Sequence, residues 1–271
     1  MDGLENFIDG LKKIEKGEGY KLYDKPNKKS PMSVFFVNFT DWFADNYPAK
    51  FNEELARMLI KDYTNEGETV LDPMAGSGVI PLIALELNRN GLYQDINPEA
   101  YDLFYAKSMI LHERYSKWGT CAIGHVGDST KKIENVPDDS VDLILTSPPF
   151  GLSIDAAHDK YSDNPDDLGN SEDYEEWRKK MKLIIKNCFQ VLKPGGLAIF
   201  ETRPRSKKGH SYPLNMWIWQ DATEIGFEYF TERIEVVIPL AIWTFGDKEQ
   251  RKPMPMHSYL TIMRKPENSK L

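Results

Sequence analysis

The stretch TVLDPMAGSGVIPLIALELNRNGLYQDINPE, residues 69–99, decides the fold. Thr69-Val70-Leu71 is a short apolar run that ends on an acid, Asp72, and runs into the turn Ala75-Gly76-Ser77-Gly78. Val79–Asn88 then repeats apolar residues at three- and four-residue spacing (Ile80, Ile83, Ala84, Leu87), which predicts a helix with one buried face. Gly91-Leu92-Tyr93-Gln94 is a second strand, ending on Asp95, and Pro98 stands where the first turn of a helix tolerates proline. A strand, a helix and a strand in this order make a right-handed crossover between parallel strands.

The same rhythm continues outward. Before it, Asn52 is a reasonable cap for a helix to Tyr63, with Leu55, Met58, Leu59 and Tyr63 on one side. After it come a helix over Pro98–Glu113 and a strand over Cys121–Val126 that ends at Gly127-Asp128. Val141–Thr146 is a fourth strand, ending at Ser147-Pro148-Pro149-Phe150. A long amphipathic helix, Tyr174–Leu192, stops at Lys193-Pro194-Gly195-Gly196, and Leu197–Phe200 is a fifth strand. Tyr229–Ile238 and Ser258–Met263 are two more, placed at one edge of the sheet and antiparallel. The acidic segment 155–176 reads as a solvated loop.

Composition narrows the class. The chain has 271 residues, long enough for one or two domains at ~150 residues each. At 41% hydrophobic and 12% aromatic it can bury a core, which excludes a wholly disordered chain. The longest nearly uncharged apolar stretches, Val79–Leu85 and Val236–Phe245, contain prolines and fall well short of the ~20 residues that span a bilayer. No basic start followed by an apolar run marks a secretion signal, so the expected setting is cytoplasmic, with no membrane partner. Two cysteines, Cys121 and Cys188, make neither a disulfide framework nor a cysteine zinc site, and the five histidines show no metal spacing, so no metal is expected. The net charge of −8 argues against broad attraction to nucleic acid and leaves room for a local basic groove.

Ligands of open parallel sheets bind beyond the carboxyl ends of the strands. Four polar or glycine-rich spots fall there: residues 72–78, Asp95, Asp128 and 147–150. The first has G-x-G, but Pro81 stands where a dinucleotide fingerprint has its third glycine, which disfavours a nicotinamide dehydrogenase. Asp95, about 20 residues along, suits two ribose hydroxyls, or else caps the helix at Pro98. Asp128 suits an adenine amino group, or serves an ordinary turn. Consecutive prolines at 148 and 149 remove two N–H donors and stiffen the backbone, so Ser147-Pro148-Pro149-Phe150 offers a hydroxyl, rigid carbonyls and an aromatic face, or else is a rigid strand-end loop with Phe150 in the core. These features add up to an adenosine-bearing cofactor beside a flat, hydrogen-bond-donating substrate.

These motifs, with Asp95-Ile96-Asn97-Pro98-Glu99, Leu192-Lys193-Pro194-Gly195-Gly196, Tyr47–Arg57 and Pro255–Leu260, resemble the amino-directed nucleic-acid methyltransferases, over roughly residues 47–264. These enzymes move a methyl group from S-adenosylmethionine to cytosine N4 or adenine N6, and the serine-first Ser-Pro-Pro-Phe form is typical of the cytosine members. The resemblance implies an α/β, Rossmann-like class I methyltransferase fold: a mostly parallel seven-stranded sheet with helices on both faces. It implies an N-terminal extension over 1–46 and a methyltransferase domain over 47–271, with small substrate loops at 151–176, 203–218 and 239–256.

It also implies roles. Lys50, Asp72, Pro73, Ala75, Gly76, Gly78, Asp95, Ile96, Asp128 and Ser129 would surround S-adenosylmethionine, Asp95 on its ribose and Asp128 on its adenine. Ser147 and the Pro148 carbonyl would accept from the target amine, with Pro149 stiffening the turn and Phe150 stacking on the base. Arg203, Arg205, Lys207 and Lys208 read as a phosphate-contacting loop, or else as a solvated basic one. The expected partner is a nucleic acid, DNA favoured. RNA stays open, because the chain lacks a sizeable recognition insertion and its glycine turn precedes Ser-Pro-Pro-Phe. Cytosine-C5 methylation is excluded by the lack of a Pro-Cys pair. A protein-glutamine methyltransferase would have Asn at position 147, and a silent cofactor-binding module would not need an intact acceptor turn.

Overall fold

The computed structural model describes residues 34–37, 50–115, 118–149, 162–207, 210–237 and 257–268. The chain divides into two compact units, Met1–Ser33 and Val34–Leu271, and all described residues lie in the second. Its strands are β1 (Val34–Val37), β2 (Thr69–Asp72), β3 (Asn90–Asp95), β4 (Ala122–Val126), β5 (Val141–Thr146), β6 (Leu192–Thr202), β7 (Arg205–Lys207), β8 (His210–Tyr212), β9 (Glu228–Val237) and β10 (His257–Arg264). Its helices are α1 (Glu53–Tyr63), α2 (Val79–Glu86), α3 (Pro98–Tyr115), α4 (Tyr174–Val191) and α5 (Leu214–Ile225).

One sheet runs β1-β9-β10-β6-β5-β2-β3-β4, and β7 and β8 form a separate two-stranded ribbon. Only β10 opposes its neighbours; the other sheet pairs are parallel. The expected class is present, with an eighth strand: β1, from the segment read as an extension, pairs with β9 from Val34↔Ile234 to Val37↔Val237. Of the two late strands only β10 is antiparallel; β9, against the expectation, runs with the majority. From β2 the chain steps outward to β3 and β4, then returns to the other side of β2 as β5. The order therefore reverses between β2 and β5, which is where an open α/β sheet leaves a crevice.

Alternation along the central strands sends successive side chains to opposite faces. Val70, Leu143, Leu145, Ile199 and Leu260 pack with Leu55, Leu59 and Ile60 of α1 and Ile80 and Ile83 of α2. Leu71, Ile144, Ala198 and Phe200 pack with Trp177, Met181 and Ile185 of α4 and Leu214 and Ile218 of α5. Each such fully buried large side chain contributes about 1.5–3 kcal/mol. The caps fit the sequence: Asn52 Oδ1 accepts from the Leu55 amide at 3.0 Å, and Asp173 Oδ1 accepts from Glu175 and Glu176, each at 2.9 Å.

Three readings change. The 203–218 segment is not a loop: it forms the β7–β8 ribbon and the start of α5. Lys193–Gly196 is part of β6, because the Gly195 amide donates to the Lys265 carbonyl at 2.8 Å and the Lys265 amide to Gly196 at 3.0 Å. The acidic segment is partly built in: Leu168–Asn170 is a 3-10 turn, and Asp167, Leu168 and Ser171 are buried. Among the described residues no helix is long and apolar enough to cross a membrane.

Candidate active site

The β2–α2 turn is held from below. Asp72 Oδ1 accepts from the Met74 amide at 3.1 Å, and the Ala75 amide donates to the Gln94 carbonyl at 3.1 Å. Gly76, at φ +52°, donates its amide to Asp95 Oδ2 at 2.7 Å, while the Tyr93 hydroxyl donates to its carbonyl at 3.0 Å. Gly78 caps α2 at φ +84°, and a Cβ there would lie 2.5 Å from Phe104 Cδ2. Gly78 is thus required by the turn and by Phe104, and it does not line the cleft.

Asp95 sits at the end of β3, 8% exposed. Its Oδ1 accepts from the Asn97 amide at 2.9 Å, and Asn97 Oδ1 in turn accepts from the Glu99 amide at 3.0 Å, so Asn97 is the side chain that begins α3. Burial raises the Asp95 pKa to about 6, against the pull of the Asn97 and Gly76 amides. Asp72, buried still deeper, is raised to about 7 by desolvation, partly offset by its hydrogen bonds. Asp128 stays in the opposite regime. Its partial burial raises the pKa, but the Thr130 hydroxyl at 2.7 Å, the Thr130 amide at 2.9 Å and Lys131 Nζ at 3.1 Å outweigh that and lower it.

Gln94 and Ser129 bind these loops together. Gln94 Nε2 donates to Ser129 Oγ at 2.6 Å and to the Lys132 carbonyl at 2.9 Å. The Ser129 hydroxyl donates to the Pro73 carbonyl at 2.6 Å, and Asn187 of α4 donates to the Ser129 carbonyl at 2.8 Å. Ser129 Oγ is therefore committed to the fold.

The acceptor turn follows β5. In the β5–β6 ladder Leu145 faces Ile199 and Thr146 faces Phe200, so Ser147 and Glu201 are the residues that follow the last pair, and both line the cleft. Pro148 is buried and Ser147 half-buried. The Pro149 carbonyl accepts the indole N–H of Trp177, a wholly buried residue of α4, at 2.7 Å. With no amide hydrogens on either proline, those two positions can be tied down only through their carbonyls.

These loops surround a cavity of about 220 Å³. Lys50, Asp72, Pro73, Ala75, Gly76, Asp95, Ile96, Asp128 and Ser129 line it, together with Ser147, Pro148, Pro149 and Arg203. Arg203 does not point out as a phosphate-contacting loop residue: its Nε donates to Ser258 Oγ at 2.9 Å and its side chain helps form the wall. Arg205 lies on the β7–β8 ribbon and outside the lining, and Lys207 is on the same strand. Phe150 and Lys208 lie outside the described residues. Phe51, Asp166, Asp167, Leu168, Ile184 and Glu201 line the cleft as well. Of these, Glu201 had a sequence signal, an acid at the end of a predicted strand, whereas the Asp166–Leu168 wall had none beyond its acidity. Among the described residues no cluster of three or more His, Cys, Asp and Glu is placed to hold a metal ion.

A family profile described as DNA methylase matches residues 6–107 and 141–270. The type II methyltransferase M.MjaVI of Methanocaldococcus jannaschii is 32% identical over 97 residues, 36% of this chain and 45% of that protein. The type II methyltransferase M.HpaI of Haemophilus parainfluenzae is 39% identical over 87 residues, 31% of this chain and 28% of that protein. The chain thus matches less than half the length of these curated relatives. Among solved structures, TrmN from Thermus thermophilus has a TM-score of 0.51 at 18% identity, over 79% of this chain and 49% of that one, a likeness of fold.

Proposed function

The chain belongs to the DNA methylase family whose profile it matches, and from that premise we propose that its cleft binds S-adenosylmethionine and methylates the N4 amino group of cytosine in DNA. The observation that carries this reading is the sharing of one cavity by the Asp95 and Asp128 carboxylates and the Ser147-Pro148 turn.

The donor set suits the cofactor. Asp95 is a buried acceptor for a ribose diol and Asp128 an acceptor for an adenine amino group. Lys50 brings a cationic donor and Asp72 a carboxyl acceptor to the same cleft, which suits the carboxylate and ammonium of a zwitterionic methionine group. When bound, S-adenosylmethionine supplies a methyl group on a positively charged sulfur. The chain's own residues must then handle a poor nucleophile, because the lone pair of a nucleobase amine is delocalised into its ring.

Ser147 Oγ and the Pro148 carbonyl accept the two amino hydrogens and draw the nitrogen towards tetrahedral geometry, where its lone pair becomes available. The same acceptors stabilise the positive charge that grows on nitrogen. Holding the amine in line supplies most of the rest. As the N–C bond forms, the bond from the methyl carbon to the sulfonium sulfur would break, leaving a neutral thioether; the nitrogen sheds one proton, and Glu201, next after the ladder partner of Thr146 and in the cavity wall, would accept it and pass it to solvent.

Cytosine is favoured over adenine by two features. Serine heads the turn, and Arg203, a pure hydrogen-bond donor, lines the wall, where it suits the O2 carbonyl that cytosine has and adenine lacks. Arg205 and Lys207 on the ribbon are assigned to the phosphate backbone. A duplex target must leave its stack to reach the cavity.

The test is methyl-labelled cofactor incubated with duplex DNA, single-stranded DNA and total RNA. Label in DNA, lost in Ser147→Ala, supports the reading. Label confined to RNA would replace the substrate, and label in no nucleic acid would refute the reading.

A further inference from the structure

We propose that Glu235, buried on β9 beyond the far edge of the cleft, is a positioning residue that holds Glu201 ready to take the proton of the target amine; this rests on the methyl-transfer reading above. Glu235 is 2% exposed and Glu201 6%. Both point to the sheet face that α1 covers, where their neighbours Ile199, Leu260 and Ile262 are apolar. Two carboxyls placed in such a layer without a task would cost several kcal/mol of folding stability. Strand β10 carries the contact across. Ser258 faces Glu235 on one side, and on the other its hydroxyl accepts from Arg203 at 2.9 Å. Glu201 stands two residues before Arg203 on β6, its side chain hydrogen-bonded to that of Glu235.

Carboxyls this close do not both ionise. Glu235, the deeper, keeps its proton: desolvation, then the charge of Glu201, raises its pKa to about 8, against the opposing pulls of Arg203 and Ser258. As a neutral acid it donates a hydrogen bond to the Glu201 carboxylate. Glu201 is thereby fixed in orientation while keeping lone pairs for the cavity it lines. The other charged groups on this side are accounted for. Arg233, two residues back on β9, is held by Asp62 of α1 at 2.7 Å, and Glu53 is a buried carboxyl in the first turn of α1.

The test compares Glu235→Gln, Glu235→Leu and the parent in single-turnover methyl transfer from pH 6 to 9.5, with cofactor affinity measured by calorimetry. The parent rate falls above about pH 8 as Glu235 ionises and crowds Glu201 with a second charge. Glu235→Gln, which can still donate through its amide, slows several-fold at neutral pH and loses the alkaline fall. Glu235→Leu, with no donor, loses about ten- to a hundredfold in rate with cofactor affinity unchanged, the size expected for one hydrogen bond to a charged group. An alkaline fall that survives in Glu235→Gln, or a parent-like rate in Glu235→Leu, overturns the proposal.

Carboxyl carbon NMR of the parent reads the pair without any substrate. Glu235 should titrate near 8 and fall in Glu201→Gln, while staying above an ordinary glutamate because its burial remains. An ordinary titration in the parent overturns the pairing even if methyl transfer is found. If instead the titration holds and no methyl is transferred, the fault lies with the activity, and the role of Glu235 in proton removal falls with it.

Discussion

Replacing Trp177 by Phe separates the acceptor turn from its support while leaving the cleft lining intact. The indole N–H donates to the Pro149 carbonyl at 2.7 Å, and Trp177 is wholly buried among Met181, Tyr174 and Leu214. Phe keeps the apolar contact but leaves roughly 40 Å³ empty, worth about 1 kcal/mol at ~24 cal/mol per Å³. The orphaned carbonyl adds about 1–3 kcal/mol. The variant should therefore lose about 2–4 kcal/mol in urea denaturation and remain folded at 25 °C. The functional consequence is larger than the structural one. Freed at Pro149, the turn shifts Ser147 and Pro148 relative to the amine, and a misplacement near 1 Å costs about a hundredfold in rate. Expected are a kcat down by about ten- to a hundredfold and a cofactor Kd within about twofold of the parent. Parent-like kcat in a folded Trp177→Phe, or an equal loss in cofactor affinity, would refute the idea that α4 sets the turn.

Other outcomes follow from single groups. Gly78→Ala meets Phe104 at 2.5 Å with φ at +84°, so thermal unfolding should show a loss of about 2–5 kcal/mol, the sum of a left-handed residue and an overpacked contact. Asp95→Ala should weaken cofactor binding about ten- to a hundredfold by calorimetry, and parent affinity should decline below about pH 6 as the carboxylate is protonated; flat affinity across that range contradicts the ribose assignment. Asp72 has a folded pKa raised to about 7, so the native state binds more protons than the unfolded chain between pH 4 and 7. Its contribution to stability is then greatest at low pH and is lost as pH rises through 7, and Asp72→Asn should flatten that slope in denaturation measured at several pH values.

Much of this was legible in the residues because the signals were local. Apolar runs ending on Asp72, Asp95 and Asp128 are periodic and stop on polar residues, so strand and site could be read together. The Pro-Pro step marks rigidity by its own chemistry. What escaped is non-local. β1 belongs to the sheet only because β9 offers it an edge, and α5 becomes a helix that packs Leu214 and Ile218 on a core contributed by α4. Gly78 looked like a cofactor contact because a glycine beside a ligand and a glycine under Phe104 have the same sequence. Trp177 lies 28 residues from the carbonyl it holds, and Glu235 pairs with Glu201 through an intervening strand, so no spacing rule could connect them. Arg203 was read by its charge as a surface contact, but register with Ser258 turns it into the wall.

The most direct measurement is the identity of the methylated nucleoside. Duplex DNA carrying ¹⁵N at the cytosine amino group is incubated with the protein and S-adenosylmethionine, digested, and resolved by mass spectrometry. The account predicts N4-methylcytosine with the heavy nitrogen bonded to the new methyl; a methyl on any ring atom, or DNA left unmodified by protein shown to bind the cofactor, would contradict it.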